Sequence, residues 1–335
     1  MTKLYDIAAI GNAIVDVIAP ADDAFLQAQN LAKGGMTLID EARATALHGA
    51  MAKGVETSGG SAANTVAGVA SLGGSAAFIG KVADDETGRV FEDDIQELGA
   101  KFGNAGPLVG GAATARCLIN VTPDGQRTMA TFLGAAGQLT PDDVEEDIID
   151  DATIVYLEGS LFDPENARRA FAKAAALART GDAKIAFTLS DAFVVERHRE
   201  ALKEFIASQV DILFANEAEI CALFETADFE DAATQAGGIV EIAAITRSEK
   251  GSVIVANAER LHIEAFPVDK VVDTTGAGDQ YAAGFLFGYA NGHPLPICGK
   301  LGSLAAAEVI SHYGPRPQTR LVDLAEKAGL IGETA

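Results

Sequence analysis

Short apolar runs alternate along this chain with longer stretches in which apolar residues recur every three to four positions. Runs of four to seven apolar residues bounded by polar ones predict buried strands, and the helical spacing predicts helices packed on them. Strands are expected at 4–10, 76–79, 153–157, 185–189, 212–215 and 242–246, and helices at 61–72, 86–98, 164–177, 197–206 and 228–236. Residues 253–255 and 261–263 read as a late antiparallel pair, and the chain from Ala277 onward as mainly helical. This rhythm belongs to βα units around a mostly parallel sheet. One stretch breaks it: between 106 and 137, Gly110-Gly111, Pro123-Asp124-Gly125 and Gly134 punctuate β-branched and apolar residues, a hairpin pattern. A hairpin excursion from an α/β core commonly makes a lid over a site at the carboxyl ends of the strands. With no internal repeat, low-complexity tract or linker, residues 1–335 read as one domain.

A hydrophobic fraction of 48% over 335 residues supports a sizeable core. The 25 Lys and Arg against 48 Asp and Glu give a formal charge of −23, which argues against nucleic acid and against anionic membrane surfaces as partners. A bound polyphosphate would then be held locally, by amide dipoles, a few cationic groups and a metal ion. Cys117, Cys221 and Cys298 are too far apart for a metal pattern or a disulfide framework, and no apolar stretch reaches the length of a membrane span. The first strand begins without a basic leader, so a cytoplasmic location is expected.

The most informative run is Asp273-Thr274-Thr275-Gly276-Ala277-Gly278-Asp279, followed by the apolar stretch 281–289. It sets two glycines and a small residue where a helix begins, so unpaired amides and the positive helix end converge on one point that suits an anion. Asp279 stands beside that point, placed to take a proton from a hydroxyl attacking a phosphoryl group. The combination suggests a kinase.

Other motifs carry two readings each. Gly59-Gly60-Ser61-Ala62-Ala63-Asn64 precedes a helix; either Asn64 offers a donor and an acceptor to vicinal hydroxyls, or the loop is merely glycine-rich and Ser61 or Asn64 helps the helix start. Asn216-Glu217-Ala218-Glu219 follows a strand, where Glu219 either orders waters around Mg²⁺ or serves a capped helix. Asp16, in Gly11-Asn12-Ala13-Ile14-Val15-Asp16, either accepts bonds from two sugar hydroxyls or faces solvent. Arg127 beside its turn either swings over a transferring phosphate or is simply solvated. The five histidines show no ligand spacing. A P-loop is missing, and the first βα turn lacks Gly-x-Gly-x-x-Gly, which weakens a dinucleotide-dependent reductase.

Taken in order, 273–279 with Gly284, the stretch 59–88 and 216–219 resemble the ribokinase, or PfkB, family of carbohydrate and nucleoside kinases. Gly11 to Val17, Gly35-Met36-Thr37-Leu38 and 310–317 are similar to its adenosine-kinase-like members, whereas Gly59 to Asn64 departs from the usual ribokinase loop. Tyr281 stands where the family more often has Phe. The resemblance implies a doubly wound α/β/α sandwich with a small β-sheet lid drawn from about 12–20, 33–39 and 106–137. It implies Asp279 as base, Gly276, Ala277 and Gly278 as anion hole, and Arg127 at the phosphate. Asn12, Asp16, Gly59, Gly60 and Asn64 would grip the acceptor. Asn216, Thr246, Ser248, Gly251 and Gly278 would line the ATP site. Glu219 and Asn216 would serve Mg²⁺ through water, and Asp273 a monovalent cation, K⁺. Ile14, Leu38, Phe132 and Leu133 are expected to form an apolar slot for a purine. The implied reaction is phosphoryl transfer from ATP to a primary hydroxyl of a nucleoside, adenosine first, by a monomer or homodimer. A sugar kinase acting on fructose, ribose or a keto-deoxy sugar acid is the alternative, and a non-catalytic sensor a further one.

Overall fold

The structure, a computed structural model, describes residues 3–103 and 106–332, so the ends of the expected 1–335 domain lie outside the described residues. Its strands are β1 (Tyr5–Ile10), β2 (Ile14–Pro20), β3 (Met36–Leu38), β4 (Val55–Gly59), β5 (Ala76–Ile79), β6 (Lys101–Gly103), β7 (Ala115–Val121), β8 (Arg127–Phe132), β9 (Ala152–Glu158), β10 (Lys184–Thr188), β11 (Ile212–Asn216), β12 (Ile242–Thr246), β13 (Ser252–Ala256) and β14 (Glu259–Ile263). Nine form one sheet in the order β14-β13-β12-β11-β10-β9-β1-β5-β6, parallel except for β13 and β14. Side chains alternate between its faces. Ile7 and Ala9 of β1 enter one apolar layer, Ala8 and Ile10 the other, which is why these strands read as continuous hydrophobic runs.

Helices Glu165–Thr180, Ala192–Gln209, Glu217–Phe224 and Phe229–Gly237 cover one face. Helices Ser61–Ser71, Glu86–Glu97, Ala277–Ala290 and Leu295–Val309 cover the other. The doubly wound α/β sandwich is thus realised. The expected helix at 197–206 is longer, and His198 interrupts it with φ −123° and ψ 20°. Helix Ala277–Ala290 is buried from Gln280 to Gly288. A Cβ at Gly284 would come within 2.4 Å of the Leu301 backbone, so the glycine lets two helices close on each other.

The remaining five strands form a second, small sheet in the order β3-β8-β7-β2-β4. Of these β4, with the polar sequence Val-Glu-Thr-Ser-Gly, lies outside the stretches expected to supply a lid. It pairs antiparallel with β2, bringing Gly59 opposite Ile14 and Thr57 opposite Asp16, and its end opens directly into the Ser61 helix. One face of the small sheet packs on Phe25, Leu31 and Leu47 of the chain's own helices and loops. The register places Ile14, Asp16, Ile18, Cys117, Ile119, Met129, Thr131 and Leu38 on the opposite face. Among the described residues, no helix is long and apolar enough to cross a membrane.

Candidate active site

Helix Ala277–Ala290 starts from Gly276, whose φ of 78° is left-handed and whose missing Cβ would lie 2.6 Å from the Pro315 carbonyl. Both conditions select glycine. The Ala277 amide already donates to the Thr274 carbonyl at 3.2 Å. The amides of Gly276, Gly278 and Asp279 meet no acceptor among the described residues, and a Cβ on Gly278 would meet open space. Of the three amides expected to form the cradle, those of Gly276 and Gly278 are thus open and that of Ala277 is taken, while the Asp279 amide is open as well.

Asp279 follows in the first turn. Its Oδ1 accepts from Ser61 Oγ at 2.6 Å, and its Oδ2 from Asn64 Nδ2 at 2.9 Å. Burial pushes its carboxyl up to about 6; the bonds from Ser61 and Asn64 pull the other way, and the nearby Glu158 adds to the rise. Helix Ser61–Ser71 thus delivers two donors to a carboxylate on another helix. Ser61, read from sequence only as a helix start, is one of them.

A cavity of about 140 Å³ brings Asp279 and Gly278 together with Asn216, Glu219, Thr246 and Ser190. Asn216 caps helix Glu217–Phe224 while Glu219 bonds back to it at 2.9 Å through both carboxylate oxygens, a reciprocal capping box. The motif therefore caps a helix and also faces the cavity. Glu219 is buried and pushed up to about 7, first by desolvation and then by Asp191 and Asp279, against the pull of the Asn216 amide. A larger groove of about 590 Å³ adjoins it, lined by Thr246, Ser248, Gly251, Thr274, Ala277 and Gly278 and by the apolar Phe266, Val268, Val271 and Ile310. Gly278, Thr246 and Tyr281 line both spaces. The Tyr281 hydroxyl pairs with Ser252 Oγ at 2.8 Å, which accommodates a tyrosine where the resembling family more often has Phe.

On the other side stands Asp16, 8% exposed and without a hydrogen-bond donor among the described residues. Desolvation pushes it up to about 7 although Arg316 and Arg127 oppose the rise. Gly59 makes room for it, since a Cβ there would sit 2.4 Å from the carboxyl carbon. Gly60, at φ 93°, turns the chain into the Ser61 helix against the Asn12 carbonyl. Asn64 Oδ1 is buried without a partner. Asn12 is differently placed: its side-chain nitrogen is committed to Glu158 Oε1 at 2.8 Å and Ser160 Oγ at 3.0 Å.

Arg127 reaches from β8 to the anion loop, pairing with Asp273 Oδ2 at 2.8 Å and bonding Thr275 Oγ1. Asp273 also accepts from Thr275 and Gly314. Burial raises its carboxyl, yet these bonds and Arg127 hold it below the ordinary value. The carboxylate expected to serve a monovalent cation is thus paired with the protein's own guanidinium. Nor do the expected purine-slot residues form one cluster. Ile14 and Leu38 share the cleft face but stand on strands separated by β7 and β8, Leu38 is 54% exposed, and Phe132 is paired with Arg116 on the alternate face.

Sequence reading passed over Glu158, Ser190 and the role of Arg316. Glu158 ends a buried apolar strand with a charge, a signal that was available. Arg316, which bonds Asp94 at 2.9 Å and Ser58, carries no local signal.

Comparison with known proteins accords with this geometry. Residues 6–320 match the family described as pfkB family carbohydrate kinase. The crystal structure of a probable sugar kinase protein from Rhizobium etli CFN 42 is 46% identical and superposes with a TM-score of 0.92, covering 98% of this chain and all of that one. That of adenosine kinase from Sinorhizobium meliloti is 50% identical with a TM-score of 0.90, covering 97% of this chain and 99% of that one. A 5-dehydro-2-deoxygluconokinase from Listeria monocytogenes is 28% identical over 264 residues, 76% of this chain and 81% of the relative. This chain belongs to the pfkB family of carbohydrate kinases, phosphotransferases that act on sugar or nucleoside hydroxyls.

Proposed function

We propose that the chain transfers the terminal phosphoryl group of ATP to the primary hydroxyl of a nucleoside, adenosine above all, forming AMP. The observation that carries this reading is the meeting of two spaces at Gly278, one long and partly apolar, the other holding Asp279. ATP fits the first, with its base among Phe266, Val268 and Ile310 and its phosphates toward the amides of Gly276, Gly278 and Asp279. The acceptor enters on the Asp279 side.

Phosphoryl transfer asks for positioning and charge stabilisation more than for covalent chemistry. Asp279 accepts the proton of the attacking hydroxyl, while Ser61 and Asn64 hold its oxygens in place. Asp16 and Asn64 Oδ1, two buried acceptors without donors among the described residues, take the hydrogen bonds of vicinal hydroxyls on the acceptor's sugar. The free amides at the helix start receive the negative charge that develops on the transferring group. Glu219 and Asn216, which line the Asp279 cavity, would hold Mg²⁺ through its water shell, and the ion would neutralise the phosphate charges. Arg127 is close enough to the anion loop to exchange Asp273 for phosphate. The small sheet acts as the lid.

A nucleoside is favoured over a bare sugar by the likeness to the Sinorhizobium enzyme and by the apolar side chains Ile18, Ile119, Met129 and Leu38 on the sheet face shared with Asp16. A sugar acid would need a spare cation, whereas Arg127 and Arg316 are already paired with Asp273 and Asp94. The sugar-kinase reading rests on the grip of Asp16 and Asn64, which any vicinal diol would satisfy. An acceptor panel with Mg²⁺-ATP decides between them: kcat/KM is expected to be highest with adenosine. Equal efficiency with free ribose would sink the nucleoside, and ATP turnover indifferent to every acceptor would sink acceptor phosphorylation itself.

A further inference from the structure

Glu158 closes β9, the strand beside β1 at the centre of the large sheet, and is 2% exposed. Four donors converge on it: the Asn12 amide at 3.3 Å, Asn12 Nδ2 at 2.8 Å, the Ala62 amide at 3.0 Å and the Ser160 hydroxyl. Every partner is a donor, so the carboxylate serves only as acceptor. Two of these groups belong to the loop after β1 and one to the first turn of the Ser61 helix, the turn that supplies both donors to Asp279. Gly11 is shaped by the same contact, because a Cβ there would lie 2.3 Å from Glu158 Oε2. A buried acidic side chain seated against two loops, with four donors from the protein itself, is more than helix capping needs.

We propose that Glu158 is a positioning residue of the transfer reaction, bracing the Gly11–Asn12 loop against the start of the Ser61 helix and setting a negative charge near Asp279. The inference rests on the reading of Asp279 as proton acceptor. The brace fixes where Ser61 and Asn64 stand, and through them where the acceptor hydroxyl meets Asp279. The charge makes Asp279 a stronger base than its neighbours alone would. The titratable groups facing Asp279 are Glu158, Asp16 from the small sheet, Glu219 from the capping box and Tyr156 from β9.

Two variants of the full chain separate brace from charge. Glu158→Gln removes the charge and turns an amide nitrogen toward donors. The acidic limb of kcat/KM for the acceptor is expected to move to lower pH by about half a unit to one unit. Acceptor affinity measured calorimetrically is expected to weaken by about 10-fold. Glu158→Asp keeps the charge and shortens the reach, so the limb stays while affinity still falls and the Asn12 and Ala62 amides exchange hydrogen faster. An unmoved limb in Glu158→Gln overturns the proposal even if melting temperature drops, since a purely structural brace would lower stability alone. Should Glu158→Gln fail to fold, unchanged affinity and unchanged exchange in Glu158→Asp overturn it. Turnover surviving in Asp279→Asn would instead overturn the reading of Asp279, whatever Glu158 does.

Discussion

Asn64 and Asp279, 215 residues apart, stand in the first turns of two helices and are joined by one hydrogen bond of 2.9 Å. The bond orients the carboxylate and leaves Asn64 Oδ1 buried and unpartnered, so a single amide can steady the base and address the acceptor at once.

Replacing Asp279 by Asn keeps the volume but removes the proton acceptor and sets its amide nitrogen against the Ser61 and Asn64 donors. Turnover is expected to fall by roughly 10²–10⁴-fold with ATP binding retained. Single-turnover kinetics beside calorimetric ATP titration check this, and near wild-type turnover would refute the role.

Activity should also report the displaced carboxyls. Asp279 lies up at about 6 and Asp16 at about 7 in the free protein. The base must be ionised to work, so kcat/KM is expected to decline as pH falls through about 7 to 6, far above the range of an ordinary aspartate. A profile flat down to pH 5 would contradict the burial of these groups.

Asp16 gives up stability for its position. Its folded value lies above the ordinary one, so the folded chain binds more protons between about pH 4 and 7 and stability drops as pH rises through that window. Asp16→Asn is expected to raise the melting temperature by ~2 °C at pH 8, with a smaller gain at pH 5, while acceptor KM rises at least about 10-fold. Thermal melts at the two pH values test it; a lower melting temperature at pH 8 would show that the carboxylate is stabilised after all.

The two glycines of the anion loop should respond in opposite ways. Gly276→Ala meets both a left-handed φ and the Pro315 backbone, and is expected to destabilise by more than ~1 kcal/mol. Gly278→Ala sits in a helix with open space before it and is expected to stabilise by up to ~1 kcal/mol, yet its methyl enters the shared space and lowers kcat/KM for ATP by about 10-fold. Denaturant melts and ATP kinetics on the pair distinguish the cases.

Much of this arrangement was legible because it is local. Strands such as β1 and β11 are buried on both faces and so announce themselves as unbroken apolar runs, and Gly276 to Asp279 carry their helix start in consecutive residues. What the sequence hides is long-range. β4 is a polar edge strand whose identity comes only from pairing with β2, and the Arg127–Asp273 tie joins a strand of the small sheet to the loop before helix Ala277–Ala290. Glu219 is instructive in another way, because capping a helix and facing the cavity proved compatible. Phe132 misled because its face depends on register, which composition does not reveal, and Leu38 because two strands part it from Ile14.

Asp16 rides on the small sheet and Asp279 on the main body, so a molecule engaging both must bridge the seam between them. On the function proposed above, the acceptor is examined from opposite banks, for a diol on one and a nucleophilic oxygen on the other. A compound with half of that pattern leaves the crossing unmade, and water satisfies too little of it to hold the two banks together.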